Sequence, residues 1–123
     1  MTTAALVWVG VVIAGGIGSV LRFLVDRAVA RRVARPFPFG TLAVNISGAA
    51  LLGLIGGLTL SKDAALLAGT AFVGAYTTFS TWMLETHRLG EERRTWAPAA
   101  NIVVSVALGV AAALLGQRIA QQL

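Results

Sequence analysis

The 123-residue chain contains no cysteine and a single histidine, His87. Disulfide frameworks, thiolate nucleophiles and Cys-containing zinc sites are thereby excluded, and a lone histidine leaves little room for His-based triads. Charge is scarce, with 12% of residues Asp, Glu, Lys or Arg against roughly a quarter in soluble domains. Acids are scarcer still: five against ten bases give a net charge of +5 and a pI near 11.5. Such a balance often marks nucleic-acid binding, which needs Lys and Arg on a wet, polar face. Here the basic residues punctuate long apolar runs, so no nucleic-acid partner is expected. What abounds is apolar: 57% of residues are hydrophobic and the mean hydropathy is +0.81. This is the composition of a membrane protein.

Charges divide the chain into four uncharged stretches, residues 1–21, 36–61, 64–84 and 95–117. Each is close to the roughly 20 residues a helix needs to cross the hydrocarbon core. The expected architecture is one all-α transmembrane domain over 1–123, with helices at about 4–30, 38–60, 64–89 and 96–120. No Lys or Arg precedes Arg22, and the first run is too long for the core of a signal peptide, so it is expected to remain in the mature chain. With four crossings, both termini share a side with Lys62 and Arg118. The other side carries Arg27, Arg31, Arg32, Arg35, Arg88, Arg93 and Arg94. Basic loops stay cytoplasmic, so both termini are expected to face outward from the plasma (inner) membrane. A C-terminal reporter reading as cytoplasmic contradicts that orientation.

Small and polar residues recur every four positions, hence on one helix face. The first helix shows Gly10, Ala14, Gly18, Arg22 and Asp26. The second shows Thr41, Asn45, Ala49, Gly53 and Gly57, and the fourth Asn101, Ser105, Gly109, Ala113 and Gln117. In lipid such stripes mean close helix packing. Packing alone accounts for the Gly and Ala positions. It does not account for Asn45 or Arg22, because an amide or a charge inside a membrane is costly without a partner.

The third stretch is the most unusual. From its midpoint it reads Gly74-Ala75-Tyr76-Thr77-Thr78-Phe79-Ser80-Thr81-Trp82, with five hydroxyls between Tyr76 and Thr81. Glycine followed by β-branched threonines is poor helix sequence. At mid-membrane an irregular backbone survives only if it is buried in protein or lines a watery cavity. The alternative is a bend produced by threonines bonding back to their own helix. Asn45 and Ser105 sit at matching depth, which favours a break beside a polar track. The track is rich in donors and poor in carboxylates apart from Glu85, a lining that suits an anion more than a cation. Phe79 and Trp82, three apart, share a face, and aromatic edges are electropositive.

These residues resemble the CrcB/Fluc family of fluoride channels over nearly the whole chain. The likeness rests on Gly16-Ile17-Gly18-Ser19-Val20-Leu21-Arg22-Phe23, on Phe39-Gly40-Thr41-Leu42-Ala43-Val44-Asn45-Ile46-Ser47-Gly48, and on Gly74 to Trp82 followed by Glu85. The resemblance implies an antiparallel two-fold dimer with two anion pores, passing fluoride passively out of the cytoplasm. It also implies a structural, untransported sodium ion (Na⁺) at the dimer centre, held by carbonyls of the third-helix break at Gly74 and Thr77. By the same resemblance Asn45 is the pore amide, Phe79 a pore phenylalanine, Ser105 and Thr41 part of a hydroxyl track, and Arg22 a vestibule arginine. Ser80 and Thr81 complete the expected anion pathway, and Glu85 is a partner at the far end of the third helix.

Two features depart from the family pattern. Trp82 stands where a second phenylalanine is usual, adding bulk and an N–H donor. The seven-to-two charge bias suits one fixed orientation, so the partner is either this chain itself or an oppositely oriented paralogue. A rival reading is a small four-helix drug/proton antiporter, which needs a carboxylate deep in a helix; none precedes Asp26, and the second and fourth helices have none. Another is a non-conducting packing subunit, which leaves Asn45 and the hydroxyls unexplained. No enzyme is expected, since Glu91 and Glu92 are adjacent in a loop and His87 has no nucleophile or carboxylate constellation.

Overall fold

Prolines and caps set the ends of the helices. In the computed structural model, which describes residues 2–92 and 95–123, helix α1 covers Thr3–Arg32. The Thr2 hydroxyl caps it by accepting from the Ala5 N–H at 3.2 Å. Pro36 and Pro38 cannot donate to a helical ladder and disfavour helix in the residue before each, and α2 starts directly after them at Phe39–Gly57. It stops before Thr59, whose φ of 50° a β-branched residue rarely adopts. The Ser61 hydroxyl then accepts from the Ala64 N–H at 3.3 Å and opens the third segment.

That segment is not one helix. A short α3 (Lys62–Ala65) runs into a π-helical stretch (Leu66–Val73) and a single turn, α4 (Gly74–Tyr76). The chain turns extended at Thr77 (φ −80°, ψ 161°) and resumes as α5 (Ser80–Glu91). Finally α6 spans Ala97–Gln121. The described residues are helical with no strand. Helices α1, α2 and α6 are long and apolar enough to cross a membrane; the pieces of the third segment are individually too short. Arg93 and Arg94, two of the seven basic residues assigned to the inner side, lie outside the described residues.

The break falls inside the stretch that the sequence marks, Gly74 to Trp82. Gly74 keeps helical angles (φ −59°, ψ −39°), and the backbone departs three residues later, over Thr77–Phe79. The π-helical stretch before it carries no sequence mark, because Leu66–Val73 is an apolar run that reads equally well as an α-helix.

The small-residue stripes act as contact seams. Between α2 and α6, a Cβ added at Gly53 would collide with the Ala113 carbonyl oxygen, and one at Gly116 with that of Ala50. Gly57 sits against Gln117 and Ala120. These two helices therefore meet backbone to backbone, gaining the dispersion contact that replaces a hydrophobic driving force in lipid. On α1, Gly10 faces Leu67 and Gly18 faces the Phe72 carbonyl and the Tyr76 N–H, so α1 runs parallel to the third segment. Gly109, by contrast, has no neighbouring chain atom within 4 Å, so its place in the stripe is not explained by packing inside one chain.

Candidate functional site

The break is held open by α2. Asn45 Oδ1 accepts from the Thr78 N–H at 2.9 Å, and Asn45 Nδ2 donates to the Thr78 carbonyl at 2.9 Å. One side-chain amide thus replaces both backbone partners that Thr78 loses when the helix opens, which meets the demand that no buried peptide group go unpaired. An amide carries two N–H donors, and the second one of Asn45 has no partner among the described residues. Below the break, the Tyr76 and Ser47 hydroxyls lie 2.9 Å apart. Above it, the Thr78 hydroxyl accepts from the Thr81 N–H at 3.2 Å, acting as a cap for α5.

These bonds redirect backbone donors. In an unbroken helix the Thr78 N–H would close onto the Gly74 carbonyl and the Thr81 N–H onto that of Thr77. Both are turned elsewhere, to Asn45 and to the Thr78 hydroxyl. The Gly74 and Thr77 carbonyls are left as hard oxygen acceptors beside a broad, mostly apolar depression of about 630 Å³ that both residues line. Among the described residues no group of three or more His, Cys, Asp or Glu gathers to hold a metal.

Two cavities flank Thr78, which lines both. The first, of about 230 Å³, brings together Arg22, Thr41, Thr78 and Thr81 with Asp26. The Thr41 hydroxyl and Glu85 Oε1 are both buried and interact with each other, with Asp26 and Arg88 nearby. Arg22 makes no ion pair with a carboxylate among the described residues, leaving its guanidinium free at this mouth. Asp26 adds a carboxylate that the sequence reading had not placed in the track.

The second cavity, of about 280 Å³, gathers Asn45, Phe79, Trp82 and Ser105 with Thr77 and Thr78. No carboxylate lines it. Phe79 is 70% exposed on the single chain, and its ring meets Trp82 edge to face at a centroid distance of 5.8 Å and 85°. The Ser105 hydroxyl is buried and makes no hydrogen bond. Ser80 lies in neither cavity; it is exposed on the first turn of α5, its hydroxyl 3.5 Å from that of Thr78.

A family model described as CrcB-like protein, Camphor Resistance (CrcB), matches residues 9–117. The chain belongs to the CrcB family. "Fluoride-specific ion channel FluC 2" of Mycolicibacterium paratuberculosis is 75% identical over 121 residues, covering 98% of each chain. The protein of the same name from Mycobacterium bovis is 76% identical over 115 residues, or 94% of this chain and 91% of its own. "Fluoride-specific ion channel FluC 1" of Symbiobacterium thermophilum is 43% identical over 118 residues, covering 89% and 93%. With three helices able to cross a bilayer, this CrcB chain is a multi-pass protein of the cell membrane.

Within the CrcB chain, one expectation needs correcting. The indole N–H of Trp82 is not a spare donor for an anion: it donates to the backbone carbonyl of Asn101 at 3.3 Å. Asn101 itself, 1% exposed, donates from its amide to the Thr86 hydroxyl at 2.9 Å. Thr78 and Asn101, like Asp26, have roles here that residue type and spacing do not announce. Thr78 was signalled as one of five clustered hydroxyls, but nothing local singles out its peptide as the partner of Asn45. Asn101 was signalled only as the polar head of its stripe.

Proposed function

We propose that this chain is a passive, fluoride-selective channel that lets fluoride leave the cytoplasm. The observation that carries the reading is the carboxylate-free cavity at the helix break, where Asn45, Ser105, Phe79 and Trp82 converge. Fluoride is small and strongly hydrated, so its passage requires donors that replace water along the way. The second N–H of Asn45, the Ser105 hydroxyl and the electropositive ring edge of Phe79 can do so. Chloride, being larger, is rejected where the two rings narrow the cavity. Arg22 gathers anions at the other mouth, and an inside-negative potential drives them out at about 2.3 kcal/mol per charge per 100 mV. The reading agrees with the names of the relatives and leaves no role for enzymatic chemistry.

The third segment is read as a fourth, broken crossing. It lies beside α1 from Gly10–Leu67 to Gly18–Phe72 and beside α2 from Gly48–Thr77 to Asn45–Thr78, the course of a full span. A second copy, antiparallel, completes the site. Support comes from Phe79, a cavity residue that is 70% exposed on one chain, and from the depression beside Gly74 and Thr77. The partner is this chain itself or an oppositely oriented paralogue. The Gly74 and Thr77 carbonyls fit a structural Na⁺, because hard cations take oxygen ligands and these two have lost their helical donors. Such an ion would offset the cost of an anion in a low-dielectric surround. Drug/proton antiport needs a carboxylate at the substrate cavity, and none lines this one.

Expression in a bacterium lacking its own fluoride exporter tests the proposal. Growth in fluoride is expected to be restored by this chain alone or with a paralogue. Rescue only on co-expression selects the paralogue pairing, and failure in both cases contradicts the channel reading.

A further inference from the structure

Three hydroxyls of this chain bond back to the carbonyl four residues earlier, and Ser105 does not. Ser19 bonds back to the Gly15 carbonyl at 3.0 Å, Thr77 to that of Val73 at 3.1 Å and Thr86 to that of Trp82 at 2.8 Å. This is the ordinary fate of Ser and Thr in an apolar helix, each taking the carbonyl four residues earlier. Ser105 lies mid-way along α6 and does not do so; its hydroxyl is buried and unpartnered. The carbonyl four residues before it belongs to Asn101, and that oxygen receives the Trp82 indole N–H at 3.3 Å. A carbonyl oxygen has two lone pairs. The helical N–H of Ser105 takes one and Trp82 takes the other, so the Ser105 hydroxyl finds its usual acceptor saturated.

We propose that Trp82 is a positioning residue: by occupying the Asn101 carbonyl, its indole N–H denies Ser105 a back-bond and keeps the Ser105 hydroxyl free to donate to the anion. Trp82 acts on the ion through Ser105, in addition to narrowing the cavity with its ring. The bond is braced from the other side, because Thr86 receives the Asn101 amide and bonds back to the Trp82 carbonyl. This loop ties α5 to α6 at the level of the cavity. A phenylalanine at position 82 would keep an aromatic wall and lose the N–H, and Ser105 would close onto Asn101 like its counterparts elsewhere in the chain. The inference rests on the channel reading, since freeing a donor matters only if an anion passes it.

The test is a double-mutant cycle on fluoride efflux from liposomes, using the full chain with Trp82→Phe, Ser105→Ala and both together. Trp82→Phe is expected to slow efflux about tenfold, the scale of one hydrogen bond to a charged group, and to the same level as Ser105→Ala. Added to Ser105→Ala it is expected to change nothing, because both remove the same donor. Wild-type efflux in Trp82→Phe, or losses that multiply in the double variant, overturn the proposal. Benzothienylalanine at position 82, an indole isostere without the N–H, separates the bond from the size of the ring. It is expected to behave as Trp82→Phe, and wild-type efflux from it overturns the proposal. A readout independent of conduction is hydrogen exchange at the indoles by NMR. The Trp82 N–H should exchange far more slowly than that of Trp96, which is 70% exposed. Equal exchange defeats the inference whatever the flux; slow exchange in a chain that passes no fluoride defeats the channel reading instead.

Discussion

Asn45→Asp is expected to abolish fluoride conduction. Asp can still accept from the Thr78 N–H, but it has no donor for the Thr78 carbonyl, and it sets a carboxylate oxygen against that carbonyl where Nδ2 donated at 2.9 Å. It also fixes a negative charge on the wall of the anion cavity. At 4 Å and an effective dielectric constant of 20, two like charges repel by about 4 kcal/mol. On a transport barrier that is roughly a thousandfold slowing. Leaving the Thr78 carbonyl unpaired costs a further ~1–3 kcal/mol of stability, so the variant should also unfold at lower temperature. The check is efflux from liposomes together with size-exclusion chromatography of the purified variant. A well-folded Asn45→Asp that conducts at the wild-type rate removes Asn45 from the pathway.

Phe79→Ile separates conduction from assembly. The ring is 70% exposed on the single chain, so its intramolecular contribution is mainly the edge-to-face contact with Trp82, worth about 0.5–1.5 kcal/mol. Isoleucine keeps an apolar side chain of similar bulk and loses the electropositive ring edge. The expected result is a protein that purifies and associates as the wild type does but passes fluoride at background rate. Normal efflux from Phe79→Ile excludes the aromatic role. Loss of association shows instead that the ring is chiefly a contact between chains.

Much of this architecture is legible in the residues because lipid leaves few options. Charges can lie only at the ends of crossings, so Arg22, Arg35, Lys62 and Arg94 frame the apolar stretches without any knowledge of packing. A lone mid-membrane amide such as Asn45 must find a partner, which makes it a candidate on residue type and depth alone. Its partner is less legible. The Asn45–Thr78 pairing spans 33 residues, and it sits at Thr77–Phe79, the part of the Gly74–Trp82 stretch where the backbone actually opens. Propensity is local and this bond is not. The same limit hides the fate of the Trp82 N–H: residue type announces a donor, but only the approach of α5 to α6 shows that Asn101 takes it. The stripes are legible as seams, yet spacing alone does not separate Gly116, packed on the Ala50 carbonyl, from Gly109, which faces open space.

The most direct measurement is halide efflux from liposomes holding the purified chain alone, with fluoride and chloride compared under the same gradient. A donor-lined, ring-narrowed cavity predicts rapid fluoride efflux with chloride retained. Equal passage of both ions, or passage of neither by this chain with or without an oppositely oriented paralogue, contradicts it.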